Sequence, residues 1–174
     1  MGNICSCLNT EKPRHIISVI GLENDIKSIL IHIVPGFDKE KKLTKFSEHI
    51  FAYGDIEMII HAHIITPMIK SLIKLHSAVE SAIIYSIDTD SKESIEAVKI
   101  LIEDNDSRSK SDMVTVLCRG KYLDNPELDV VKQMFKSNVH NHFEFVKFNE
   151  EETDIYSKEA FDKIYGKLGG KLND

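Results

Sequence analysis

Apolar residues in this chain fall into short unbroken runs separated by amphipathic stretches. His15-Ile-Ile-Ser-Val-Ile20 is too short and too continuous for a surface helix and reads as a buried strand. Lys27–Val34 predicts a short helix stopped by Pro35-Gly36, and Glu48–Tyr53 a strand after the charged loop Asp38–Lys42. Residues 56–76 are apolar and fit either period. The side favoured for 56–66 is core over an exposed binding patch, and after Pro67 the residues Met68, Ile69, Leu72 and Ile73 share a helical face. Ser81–Ile87 is the next strand. Asp90 and Glu93 have capping-box spacing ahead of a helix that aligns Ile95, Val98, Leu101 and Ile102. Met113–Cys118 follows as a strand. Asn125-Pro126 then opens a helix burying Leu128, Val131 and Met134 or Phe135. A strand at Phe143–Phe148 and a helix capped by Ser157, with Phe161, Ile164 and Leu168 together, complete the order.

Strands alternating with helices predict an α/β fold with a mostly parallel central sheet and helices on both faces. Ligands on such sheets bind beyond the carboxyl ends of the strands. That puts the loops after residues 20, 53, 118 and 148, together with Asp88, on one rim. At 174 residues the chain suits one domain, here 15–174, behind a tail at 1–14.

Composition narrows the function classes. The net charge of −6 arises entirely beyond residue 85, and no basic stripe with interleaved aromatics accompanies it, which argues against nucleic-acid binding. The three cysteines, Cys5, Cys7 and Cys118, make no disulfide framework and fit a reducing compartment, with Cys118 expected inside a strand rather than as a nucleophile. No apolar run is long enough to cross a bilayer.

The chain opens Met-Gly-Asn-Ile-Cys-Ser-Cys, which fits the myristoylation pattern at Gly2 with Ser6. A single myristoyl chain binds membranes only marginally, at roughly 10⁴ M⁻¹, so anchoring needs a second signal. Palmitoylation of Cys5 and Cys7 supplies one. The expected location is cytoplasmic, peripheral to the cytosolic leaflet.

Between the first strand and helix lies Val19-Ile-Gly-Leu-Glu-Asn-Asp-Ile-Lys-Ser28. A phosphate loop reads G-x-x-x-x-G-K-[ST]: backbone N–H groups cradle phosphates, the lysine reaches them and the hydroxyl holds Mg²⁺. Gly21, Lys27 and Ser28 have that spacing, with Asn24 and Asp25 inside the loop. The second glycine is replaced by Ile26, a β-branched residue that resists positive φ and adds bulk to the cradle.

Taken together, the start "MGNI", the "VIGLENDIKS" loop, the "AIIYSIDTDSKESI" passage and the final strand–helix pair resemble the ADP-ribosylation factor (ARF) branch of the small GTPases over nearly the whole chain. The resemblance implies a P-loop GTPase fold, GTP or GDP with Mg²⁺, acyl-anchored membrane association, protein effectors or regulators, and a role in vesicle traffic or signalling. It also implies a magnesium-assisting Asp after the third strand, for which Asp55 is the nearest match with Ser28, and Thr44 as the threonine closing over the metal. For guanine it points to Arg119–Asp124, where Lys121 is present and Asp124 comes one residue late. Each of these motifs is incomplete, and no water-orienting glutamine is recognisable. The favoured expectation is a degenerate, weakly or non-nucleotide-binding regulator or scaffold. The alternative is a divergent GTP-binding switch with slow hydrolysis.

A third chemistry is metal binding, since His61-Ala-His63 and His140-Asn-His142 each put two imidazoles on one face of a strand. No Cys or carboxylate is clearly paired with either, so surface or partly buried polar histidines are the favoured expectation.

Overall fold

A computed structural model describes residues 12–38, 40–66, 69, 80–104, 113–119, 126–138, 142–148 and 161–168. It is an α/β structure. Its strands are β1 Arg14–Gly21, β2 Phe46–Tyr53, β3 Ile56–Ile64, β4 Ala82–Asp88, β5 Met113–Arg119 and β6 His142–Phe148. Its helices are α1 Glu23–Ile33, α2 Lys92–Asp104, α3 Pro126–Asn138 and α4 over 161–167. The sheet order is β2-β3-β1-β4-β5-β6. β1 pairs parallel with β3 and β4, β4 with β5 and β5 with β6, whereas β2 pairs antiparallel with β3.

The apolar runs account for two cores, because alternate residues of a strand face opposite sides. On one side Ile17 and Val19 of β1, Met58 and Ile60 of β3 and Ile84 of β4 pack against Ile26, Ile29 and Leu30 of α1 and Phe161, Ile164 and Tyr165 of α4. On the other side Ile20, Ile83, Tyr85 and Ile87 meet Ile95, Val98 and Leu101 of α2 and Leu128 and Val131 of α3. Cys118 lies in this second core, buried as its strand position implied.

Four sequence expectations shift. The first helix begins at Glu23 rather than Lys27, directly after Leu22. Of the ambiguous run, Ile56–Ile64 becomes β3, because its backbone is claimed from both sides, by β1 and by β2. Met68, Leu72 and Ile73 of the expected helical face lie outside the described residues, as does the cap Ser157. Helix α2 is capped by Ser91, whose Oγ accepts from the Ser94 N–H at 3.2 Å, so Ser91 and Ser94 take the places expected of Asp90 and Glu93.

The fourth concerns the rim. β2 runs against β3 through the two-residue turn Gly54-Asp55, with Gly54 at φ 58°. The loop after Tyr53 therefore lies at the opposite end of the sheet from Gly21. There it is tied to α4: the Tyr53 hydroxyl donates to Asp162, and the Tyr165 hydroxyl donates to Asp55 Oδ1 at 2.8 Å. Burial, together with the Asp162 carboxylate, holds the Tyr53 phenol above its ordinary range.

Candidate functional site

The phosphate-loop stretch is helix from Glu23 onward, so the connection from β1 to α1 is the single residue Leu22. Leu22 offers no side-chain cap, and its carbonyl already accepts from the Ile26 N–H at 3.0 Å. Asn24, Asp25, Ile26, Lys27 and Ser28 all lie within the first two turns of α1. A cradle needs several consecutive N–H groups converging on one point, and a regular helix directs them along its axis instead.

Each side chain of the pattern has other employment. Ile26 is fully buried, and its Cγ1 packs 3.5 Å from where a Cβ on Gly21 would stand. Lys27 pairs with Glu23 one turn back at 3.1 Å, in the orientation that suits a helix. The Ser28 hydroxyl donates to the Asp25 carbonyl at 2.6 Å. Gly21 is held by its neighbours: its carbonyl accepts from the Ile65 N–H at 2.9 Å.

Asp25 is the hub of this rim. It is buried, its Oδ2 accepts from the Ser94 hydroxyl at 2.6 Å and its carbonyl from the Ser86 hydroxyl at 3.0 Å. Ser94 in turn accepts from the Asp88 N–H at 2.9 Å. The set joins the start of α1, the end of β4 and the first turn of α2. Glu23 adds a second carboxylate, held below its ordinary range first by Lys27 and then by the Leu43 N–H. Asp88 and Asp90 follow on the same rim.

The remaining nucleotide candidates are not brought together. Asp55 precedes β3 instead of following it, at the far end of the sheet from Gly21, about 25 Å away along β1. Ser28 and Asp55 therefore cannot share a magnesium ion. Ile65 and Thr66, with no carboxylate, are the residues that follow β3 directly. The Thr44 hydroxyl donates to the Phe46 carbonyl at the entry to β2. Lys121 and Asp124, and the lipidation candidates Gly2, Cys5 and Cys7, lie outside the described residues, as does His140.

A different group of chemistry-bearing residues converges beneath the sheet. His61 and His63 lie on one face of β3, with Glu80, which precedes β4, beside them. One ligand atom from each lies within 4.8 Å of the others. All three are buried, His63 completely, which corrects the expectation of surface or partly buried histidines. The register explains the grouping. Ser18 of β1 stands opposite His61, and its hydroxyl donates to Glu80 Oε1. Burial raises the Glu80 carboxyl above its ordinary range, and the Ser18 hydrogen bond offsets this in part. His61 Nε2 lies 3.2 Å from Glu48 Oε2 on β2, and the Phe46 ring sits 5.2 Å from each imidazole.

The histidine pair was visible in the sequence, but its carboxylate was not. The available signal was Glu80 standing as a charged residue just before the continuous apolar strand Ala82–Ile87, where the chain is already entering the core.

No protein-family model matches this chain, and no curated protein matches it in sequence. Among the described residues no helix is long and apolar enough to cross a membrane.

Proposed function

We propose that this chain is a membrane-tethered binding module on an ARF-like frame, one that works without nucleotide as a regulator or scaffold in vesicle traffic or signalling. The observation that carries the reading is the start of α1 at Glu23, which leaves one residue where a phosphate loop would stand. The sheet supports the frame through its parallel pairings and single antiparallel edge strand β2 beside β3. The engagement of Lys27 by Glu23 and of Ser28 by the Asp25 carbonyl supports the same reading.

The test is titration of nucleotide-stripped protein with fluorescent GDP and GTP in Mg²⁺, beside a thermal scan. No binding is expected up to millimolar nucleotide, with an unchanged cooperative melt. A ligand at a hundred times its Kd adds about 2.7 kcal/mol of stability. Micromolar binding with a matching rise in Tm overturns the reading in favour of a divergent GTP-binding switch.

Tethering rests on the acyl pattern at the amino terminus. Gly2→Ala is expected to move the protein from the membrane pellet to the supernatant. Replacing Cys5 and Cys7 by serine is expected to leave only the weak, reversible association of one acyl chain. Fractionation of cells expressing each variant, with metabolic labelling by myristate and palmitate analogues, reads both effects.

A further inference from the structure

We propose that His61, His63 and Glu80 form a binding site for one divalent transition-metal ion of the zinc class, with Glu48 as the carboxylate behind His61. Two imidazoles and a carboxylate, drawn from β3 and from the segment entering β4, meet in the interior with one ligand atom each within 4.8 Å of the others. A tetrahedral ion with bonds near 2.1 Å spaces its ligands by about 3.4 Å, a contraction within reach of side-chain rotation.

Chemistry selects the class of metal. Imidazole nitrogen suits zinc, copper, nickel and iron, whereas magnesium and calcium require mostly oxygen donors. Two histidines with one carboxylate leave a coordination position for water. The inference is independent of the nucleotide reading, because these residues lie off the rim that Gly21 and α1 form.

Three features separate this cluster from an ordinary polar patch. Glu80 is 6% exposed, and its Oε2 has no hydrogen-bond partner among the described residues, a costly arrangement for a buried carboxylate oxygen. Glu48 is placed as metal-bound histidines use a carboxylate, fixing the ring and its tautomer from the far side. Ligation through His61 Nδ1 would place the Nε2 proton toward Glu48, which lies 3.2 Å away. Finally, Phe46, 37% exposed on the edge strand β2, packs its ring against both imidazoles.

The experiment uses the full-length chain carrying Cys5→Ser and Cys7→Ser, so that terminal thiolates do not contribute. Chelator-stripped protein is titrated with Zn²⁺ against a chromophoric competitor and with Co²⁺ by visible absorption. One equivalent is expected, with d–d bands of a four- or five-coordinate ion, no thiolate charge transfer and a higher Tm. His63→Asn and Glu80→Gln are each expected to weaken zinc by about 100-fold or more. Glu48→Gln is expected to weaken it by about 10-fold, the range for residues behind a ligand. His140→Asn with His142→Asn is expected to leave binding unchanged. X-ray absorption of the zinc-loaded parent, which needs no variant, should report two imidazoles and oxygen. The proposal is overturned if the parent retains no zinc, if absorption shows other ligands, or if folded Glu80→Gln binds as tightly as the parent.

Discussion

Replacing Ile26 by glycine, which completes the G-x-x-x-x-G-K-S pattern, is expected to lower folding stability by about 3–6 kcal/mol and to create no nucleotide site. Ile26 is fully buried between β1 and the core beneath α1. Truncating a buried isoleucine to alanine costs about 2–5 kcal/mol. Going on to glycine inside a helix adds about 1 kcal/mol. The sum is comparable with the whole stability of many domains, about 5–15 kcal/mol. Urea denaturation followed by circular dichroism measures the loss, and Ile26→Val, costing about 1 kcal/mol, calibrates the position if the glycine variant does not fold. A glycine variant of unchanged stability that bound GDP would show that the loop geometry was poised for phosphate after all. The expectation is the reverse, because Lys27 stays with Glu23 and Asp25 stays with Ser94 and Ser86.

This outcome bears on what Ile26 is. As a phosphate-loop residue it is an error at a glycine position. As a helix residue it is an ordinary core side chain, on the same buried face as Ile29, Leu30 and Ile33. The spacing of Gly21, Lys27 and Ser28 invites the first view, and the helix makes the second view sufficient.

How much could be read beforehand follows from how local each signal is. The strands β1, β4 and β5 were legible because a continuous apolar run flanked by polar residues has few other uses. The end of α1 was legible from Pro35-Gly36. Its start was missed because Leu22 offers no cap and Gly21, Lys27 and Ser28 suggested a loop, although Glu23 and Asp25 are acidic first-turn residues that suit a helix N-terminus. What admits the helix is Asp25 finding partners on β4 and α2, 61 and 69 residues away. The reversal of β2 rested on the turn Gly54-Asp55, a two-residue hairpin signal that the expectation of a parallel rim displaced. Likewise the His61–His63 pair is local, but Glu80 reaches its place through Ser18, 62 positions away. Pairings of that range depend on sheet register, which one sequence does not display.

Gly21 makes the sharpest trial of packing against phosphate binding, because the sign of the effect is at stake. Gly21→Ala is expected to destabilise the nucleotide-free protein by about 1–3 kcal/mol, the range for overpacking. Its backbone is not among the positive-φ glycines, so alanine faces no conformational barrier there. By chain entropy alone the change would stabilise by about 0.4–1 kcal/mol. The steric cost wins, because the new Cβ would stand 2.9 Å from the Ser86 carbonyl oxygen and 3.1 Å from the Ser86 Cβ. Both belong to β4, and a backbone carbonyl fixed in a sheet cannot swing aside as a flexible side chain does. Gly166 in α4 supplies the control: a Cβ there meets nothing within 4 Å, so Gly166→Ala is expected to stabilise by about 0.5–1 kcal/mol. The two variants thus make one chemical change with opposite signs, measured by denaturant midpoints without nucleotide. Were Gly21→Ala neutral or stabilising in that assay, the glycine would not be serving the approach of β1 to β4, and a ligand-facing role would be the account left standing.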